Sequence, residues 1–130
     1  MPATLKLLAV VETAYRATLE EQDDPVLWLT QVLRNNGADI HVLLRGNAVN
    51  YGVRGQDASG LRFGDVAQTN PPNIERDIGG LLAKGTSVFF VSDDVKARGI
   101  ANEELVDGLR AVTQADLPGL FGGYDQIWHW

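Results

Sequence analysis

Hydrophobic residues along this chain are concentrated in short runs, and the segments between the runs show helical spacing. The runs cover 5–11, 40–44, 87–91 and 126–130, and their lengths are typical of buried strands. A helical segment and a second run follow the first run closely, which predicts a βαβ unit with two parallel strands. The alternation as a whole predicts the α/β class, with an open, mostly parallel sheet and helices on both faces.

The first helix is predicted from its start and stop signals. Asp23-Asp24-Pro25 offers a carboxylate at the N-cap and a proline in the first turn, and Asn35-Asn36-Gly37 ends the pattern. Its apolar face is predicted to contain Val26, Leu29 and Leu33, widened by Trp28 and Val32.

Further helices are predicted in the second half of the chain. Asn73 caps a helix that Gly85 stops, and the Gly79-Gly80 pair inside it indicates close packing against the sheet. Residues 93–99 predict a short helix, and a last helical turn is predicted over 116–121. Between these two, a helix beginning at Asn102 is predicted to carry Leu105, Leu109 and Val112 on its apolar face.

Residues 46–72 lose clear periodicity and contain seven glycines and prolines. A long irregular stretch inside a small α/β protein is typical of a functional or mobile segment. A helical turn is predicted over 49–53 and an extended piece over 61–66. The pattern leaves open whether the segment is a lid over a site or only a loop.

Length and charge narrow the class of protein. A chain of 130 residues predicts one domain, 1–130, and the net charge of −6 is spread without a basic cluster. This charge argues against nucleic acid and anionic membrane as partners. No apolar run approaches a membrane span, and the first residues lack the basic head of a secretory leader, so we expect a cytoplasmic protein.

The chain has no cysteine, which excludes disulfides, thiolate metal sites and a thiol nucleophile. It also lacks the glycine-rich phosphate-binding motifs of nucleotide-binding proteins and the nucleophile elbow of serine hydrolases. No metal site and no cofactor are therefore predicted. The two histidines have simpler interpretations than catalysis: His41 as a structural or contact residue within its strand, and His129 as part of the aromatic C-terminal stretch.

Polar residues that follow the predicted strands are the candidates for a ligand site, because open α/β sheets bind ligands beyond the carboxyl ends of their strands. Ser92-Asp93-Asp94 favours a self-capped helix over an anion site, because the two carboxylates would repel an anion. Arg45 is interpreted either as a carboxylate contact or as an ion-paired strand end. The candidate ligand-binding residues are Thr13, Tyr15, Arg45, Asn47, Asn50, Tyr51, Ser92 and Asp93.

The closing residues Trp128, His129 and Trp130 are candidate interface residues. Large aromatic side chains are rarely left in water as a group, so this stretch is expected to be buried in the sheet or packed against another subunit.

Three ordered stretches resemble the DsrE-like family. Arg45-Gly46-Asn47-Ala48-Val49-Asn50 resembles the segment after the family's second strand. Residues 87–91, followed by Asp94-Val95-Lys96-Ala97-Arg98-Gly99-Ile100, resemble its third strand and the helix that ends in Lys-Ala-Arg-Gly-Ile. Residues 117–130, with Tyr124-Asp125-Gln126-Ile127, resemble its C-terminal aspartate and last strand.

The resemblance implies a flavodoxin-like fold that assembles as a dimer, trimer or hexamer. Active members of the family pass a persulfide sulfur between cysteines of different proteins, in sulfur oxidation or tRNA thiolation. Counting back from Gly99, the resemblance puts the acceptor cysteine at Val91 and a second family cysteine at Asp94. The fold-defining residues match, whereas the residues that carry the sulfur do not.

The leading hypothesis is a non-catalytic DsrE-like protein that acts as an oligomeric binding or scaffold subunit. The resemblance links it to intracellular sulfur metabolism and to a cysteine-bearing sulfur-relay partner. The alternative is a small-ligand or nucleotide-binding domain with a pocket at the carboxyl ends of the strands. A third hypothesis is an enzyme that uses Asp93, Asp94 or His129.

Overall fold

A computed structural model describes residues 4–15, 24–60, 62–69 and 71–130, and its centre is a parallel sheet of five strands. The five are β1 (Lys6–Val11), β2 (Asp39–Leu44), β5 (Val88–Val91), β6 (Arg110–Val112) and β7 (Gln126–His129). Their order across the sheet is β6-β5-β2-β1-β7. A separate antiparallel hairpin joins β3 (Arg62–Phe63) to β4 (Val66–Ala67). The predicted class, an open parallel α/β sheet of the flavodoxin-like type, is confirmed.

Four α-helices accompany the sheet in the part of the chain that the structure describes. They are α1 (Pro25–Asn35), α2 (Ile74–Ala83), α3 (Ser92–Ala97) and α4 (Leu117–Gly122). Three 3₁₀ helices cover Gly46–Gly52, Asn102–Glu104 and Gln114–Asp116. None of these described helices is long and apolar enough to cross a lipid bilayer.

The start signals of the first two helices act as predicted. Asp24 caps α1 by accepting hydrogen bonds from the N–H groups of Val26 and Leu27, at 2.9 and 3.0 Å. Asn73 caps α2 by accepting from the N–H of Arg76 at 3.0 Å. Asp23, which belonged to the predicted start of α1, lies outside the described residues.

Alternating side chains of the strands divide the core into two faces. On one face Val11, Val42 and Phe90 pack with buried residues of α1, α2 and α3. On the other face Leu8, Val10, Leu43 and Val91 pack with Leu117 of α4. Strands buried on both sides read as continuous apolar runs, which explains why the sequence located them.

The helix predicted from Asn102 is wrong. The chain makes one 3₁₀ turn there, continues through Leu105, which bridges Val53, and then forms the edge strand β6. Gly108 has a φ of +96°, a left-handed conformation that no continuing α-helix contains. The apolar spacing that suggested a helix instead buries Leu105 in the core and leaves Val112 paired with Val91.

Two packing details of the helices also differ from prediction. The most buried residues of α1 are Leu27 and Thr30, while Trp28 is 56% exposed, so the helix is rotated from the predicted stripe. A Cβ at Gly80 would lie 2.7 Å from Nε2 of Gln31, so this glycine allows close approach of α2 to α1 rather than to the sheet. In the irregular segment the predicted helical turn is confirmed, and the extended piece forms the β3–β4 hairpin, with Leu61 outside the described residues.

Candidate functional site

A cavity of about 270 Å³ lies at the carboxyl ends of β1 and β7, beside the first turns of α1. Its lining combines Thr13 after β1 with Trp130 after β7, two residues that the sequence analysis selected for different reasons. The remaining wall comes from α1 and its cap: Asp24, Pro25, Val26, Trp28 and Leu29. The cavity therefore joins the predicted ligand site and the predicted interface stretch in one place.

The position of the cavity follows from the strand order. From β1 the chain builds the sheet in one direction, through β2, β5 and β6, and then returns to place β7 on the other side of β1. The direction of strand addition therefore reverses between β1 and β7. Ligands of open α/β sheets bind outside the carboxyl ends of the strands at such a switch point.

The carboxylate of Asp24 borders the cavity, but both of its oxygens are already hydrogen-bonded within the protein. Its Oδ1 accepts from Val26 and Leu27, and its Oδ2 accepts from the hydroxyl of Tyr51. Asp24 is 2% exposed and Tyr51 is fully buried. The cavity is consequently walled mainly by aromatic and aliphatic groups.

Tyr51 connects the segment after β1 to the start of α1 through hydrogen bonds to Tyr15 and Asp24. Besides donating to Asp24, its hydroxyl accepts a hydrogen bond from the backbone N–H of Tyr15, and the two tyrosine rings meet edge to face at 5.0 Å. Tyr15 has a φ of +61°, a conformation that is uncommon outside glycine, and this hydrogen bond helps to hold it. Its own hydroxyl donates to Gln56. Burial raises the pKa of the Tyr15 phenol, so the group stays protonated at neutral pH.

Arg45 is ion-paired at the end of β2. Its Nε lies 3.2 Å from Oε1 of Glu12, and Nε2 of His129 lies 3.0 Å from the same oxygen. The cluster crosses the ends of β2, β1 and β7. Arg45 thus fits the second of its two interpretations, the ion-paired strand end, and its guanidinium already has a carboxylate partner.

Asn47 and Asn50 lie in the 3₁₀ helix that follows Arg45. The guanidinium of Arg98 donates to Oδ1 of Asn47 from Nη2 at 2.9 Å and from Nε at 3.2 Å. Asn50 donates to the carbonyl of Asn47 at 2.8 Å, and its own carbonyl accepts from Gln56. Both asparagines therefore brace this turn.

The acidic start of α3 does not cap its own helix, contrary to the favoured interpretation. Asp93 accepts from the N–H of Gln114 at 3.2 Å, and Asp94 accepts from the N–H of Gly46 at 2.8 Å. Ser92 donates to the carbonyl of Val112 at 3.2 Å. These side chains instead tie the loops after β2 and β6 to the end of β5.

Val91, where the family resemblance puts the acceptor cysteine, is closed off from solvent. It is 1% exposed and packs in a cluster with Leu8, Leu43 and Leu117. The helix α4 thus covers the place where a sulfur would have to be reached.

His41 is a structural residue on the face of the sheet that α4 covers. Its Nδ1 accepts from the N–H of Ser87 at 2.8 Å, and its Nε2 lies 2.9 Å from Oδ1 of Asp39. An Nδ1 that accepts a hydrogen bond is unprotonated, so the neutral ring carries its proton on Nε2 and donates to Asp39. Burial lowers the pKa of His41 from 6.5, while the hydrogen bond to Asp39 opposes the shift.

We expect the lowered pKa of His41 to make stability fall in mild acid. The unfolded chain binds a proton at a higher pH than the folded chain, so the free energy of unfolding decreases as the pH falls through 6.5. Urea midpoints measured between about pH 8 and pH 5 should show this slope, and His41→Gln should flatten it. An NMR titration that places the pKa of His41 at or above 6.5 would contradict the assignment.

The structure brings some candidate residues together and separates others. Thr13 and Trp130 line the cavity, while Tyr15 and Tyr51 flank it through Asp24. Ser92 lies at another cavity, of about 290 Å³, near Lys96 and β6. Trp128 is not among the residues that line the cavity, and it packs instead with Leu7, Ala9 and Ile40.

Sequence reasoning missed the site roles of four residues: Asp24, Trp28, Leu29 and Gln56. Asp24 was recognised only as a cap, and Trp28 only as part of a core stripe. Trp28 lies at the margin of the predicted stripe, and a tryptophan there, on a helix that starts near the strand ends, is the signal that would have indicated a site. Within the described ranges, no group of three or more metal-ligating side chains is close enough to hold a metal ion.

The geometry defines the class: an open parallel α/β sheet with its cavity at the switch point between β1 and β7. Solved structures with this architecture include the ychN protein from E. coli, with a TM-score of 0.72 and 23% identity, covering 97% of this chain and 99% of that chain.

Two further structures share the fold. A protein of unknown function, MTH1491 from Methanobacterium thermoautotrophicum, has a TM-score of 0.61 and 17% identity over 95% of this chain and 98% of that one. BT1422 from Bacteroides thetaiotaomicron, also of unknown function, has a TM-score of 0.63 and 14% identity over 96% of this chain and 95% of that one. These three likenesses show that the chain shares its fold with the three proteins. No family model and no curated protein matches the sequence.

Proposed function

We propose that this chain is a non-catalytic DsrE-like protein that works as a homo-oligomeric binding subunit. The observation that carries the proposal is the apolar surface around β7 and the cavity beside it. In this proposal the protein acts by non-covalent contacts at the carboxyl edge of the sheet, in a dimer, trimer or hexamer. A cysteine-bearing protein of sulfur metabolism is the partner that the family resemblance suggests.

The side chain at the family's cysteine position supports a non-catalytic role. Val91 has no group that accepts or donates sulfur, and the sequence contains no cysteine to replace it. Leu117 covers it from α4. Asp93, Asp94 and His129, which an enzyme of another class would need, are engaged with Gln114, Gly46 and Glu12 respectively.

The edge of the sheet supports assembly. β7 pairs with β1 on one side, and among the described residues no strand pairs with its outer edge. Ile127 on this strand is 41% exposed and Trp130 after it is 38% exposed. An exposed apolar edge strand is a ready template for another chain, and native proteins usually cover it.

The test is the mass of the native protein by native mass spectrometry, together with that of Ile127→Lys. We expect the wild type to show a multiple of 14.1 kDa and Ile127→Lys to shift toward the monomer, because a buried ammonium at an apolar contact is costly. Val66→Lys is the matched control, since Val66 is 67% exposed on the β3–β4 hairpin, which is not part of the sheet that contains β7. A monomeric wild type would contradict the proposed function, and an oligomer unaffected by Ile127→Lys would contradict the role of β7.

A small-ligand role is the second candidate, and the cavity itself favours it. At about 270 Å³ it is slightly smaller than the usual small-molecule pocket, for which the size range starts at about 300 Å³, so it suits a small ligand. Bound ligand stabilises the native state in proportion to the logarithm of its concentration, so a thermal-shift screen detects it. The two roles are compatible, because Trp130 belongs to both the cavity wall and the exposed edge.

A further inference from the structure

We propose that the cavity between Trp28 and Trp130 binds a neutral, planar, two-ring aromatic molecule. The inference rests on the proposed binding function and names the ligand class for the cavity. It depends on three properties of the described residues: the satisfied polar groups of the lining, the size of the cavity and the two tryptophans.

Charge complementarity excludes an anionic ligand. The first turn of α1 has no N–H to offer, because Pro25 lacks one and those of Val26 and Leu27 are bonded to Asp24. A phosphate at this helix start would therefore meet a carboxylate rather than donors.

A cationic ligand is disfavoured for a different reason. Asp24 is almost completely buried, and both of its oxygens already accept hydrogen bonds from Val26, Leu27 and Tyr51. These three donors already stabilise the negative charge of the carboxylate, so a cation in the cavity would gain little there for the hydration that it loses against the apolar wall. The side-chain polar groups that this lining can still offer are neutral: the hydroxyl of Thr13 and the indole N–H groups of Trp28 and Trp130. They suit a ligand with a neutral hydrogen-bonding substituent.

The volume of the cavity limits the number of rings that the ligand can have. An apolar cavity of about 150 Å³ holds benzene, so about 270 Å³ has room for a second fused ring. Trp28 and Trp130 are 56% and 38% exposed, so their rings are available to stack with or meet the edge of such a ligand. Leu29 and Val26 complete an apolar wall that a planar ring system can contact on its faces.

The experiment titrates the full chain with three probes of one shape: 2-naphthamide, which is neutral, 2-naphthoate, which is anionic, and 2-naphthylmethylammonium, which is cationic. Isothermal titration calorimetry at pH 7 should give a Kd on the order of 100 µM for the amide. Both charged probes should bind at least about tenfold more weakly. Native mass spectrometry on the same samples reports the subunit number.

A pair of variants locates the binding. Trp28→Ala should weaken amide binding at least about tenfold, because it removes one aromatic wall. Phe63→Ala should leave it unchanged, since Phe63 is an equally exposed aromatic residue, 61% exposed, on the hairpin. Both substitutions are at exposed side chains, and matching circular dichroism melts establish that each variant is folded.

Three results would overturn the inference: no amide binding up to about 1 mM, equal binding of a charged probe, or equal binding by Trp28→Ala. Amide binding and subunit number, measured on the same samples, also separate the ligand class from the proposed oligomeric function. An oligomer that does not bind the amide refutes only the ligand class, whereas a monomer that binds it refutes the oligomeric function and leaves the ligand class supported.

Discussion

Replacing Asp24 with alanine is expected to lower the free energy of unfolding by about 2.5–4 kcal/mol. The loss has two parts. Removing the N-cap of α1 costs about 1 kcal/mol, and leaving the buried hydroxyl of Tyr51 without its charged acceptor costs about 1.5–3 kcal/mol. Urea denaturation at neutral pH measures the difference from the shift in midpoint.

Asn73→Ala is the matched control for Asp24→Ala. Asn73 also caps a helix through one backbone N–H, but it is exposed and has no tyrosine partner in the described structure, so its loss should cost only about 1 kcal/mol. Tyr51→Phe, which keeps the ring, should cost about 1.5–3 kcal/mol. If Asp24→Ala costs no more than Asn73→Ala, the hydrogen bond from Tyr51 contributes nothing to stability.

A cysteine at position 91, where the family resemblance puts the acceptor cysteine, is expected to be an unreactive thiol. In Val91→Cys the new side chain would occupy a site that is 1% exposed beneath Leu117, where an alkylating reagent reacts only when the structure opens locally. Alkylation should be at least about a hundredfold slower than in Ala97→Cys, whose residue is exposed on α3. Because the natural chain has no other thiol, each variant reports a single site.

The measurement is the rate of iodoacetamide labelling, followed by intact mass, in native buffer and in urea. Equal rates in urea provide the control, since both unfolded chains expose their thiols. Comparable rates in native buffer would mean that α4 opens freely over Val91. In that case a cysteine at position 91 would be accessible for sulfur transfer. The non-catalytic proposal would then lose the support that the burial of Val91 gives it.

The layered fold was predictable because its central strands, β1, β2 and β5, are largely buried on both faces. Residues 7–11 and 42–44 are all buried, so the apolar runs stood out without any tertiary information. The edge strand β6 was not predictable, since Arg110 and Ala111 are exposed and their pairing depends on Phe89 and Phe90, about twenty residues earlier. Local spacing favoured a helix there, and long-range pairing decided otherwise.

The candidate site was predictable only in outline. The rule for strand ends selected Thr13 and the C-terminal residues, but their meeting at one cavity depends on the placement of β7 beside β1. The hydroxyl of Tyr51 donates to Asp24 and accepts from the N–H of Tyr15, which joins residues 27 and 36 positions apart, and no periodicity encodes such contacts. Polar networks of this kind follow from the fold rather than from local pattern.

The pairing of β1 with β7 also bears on the order in which the chain folds. The N–H of Lys6 donates to Asp125 at 2.7 Å across a sequence separation of 119 residues, whereas β1 and β2 are joined through one helix. Closing the longer loop costs more chain entropy, so we expect the β1–β2 unit to form early and β7 to dock late. Trp130 arrives with β7, through backbone hydrogen bonds to Val10 and Glu12. The cavity is therefore complete only in the fully folded chain. A molecule that contacts both tryptophans binds the native state in preference to any state in which β7 has not yet docked.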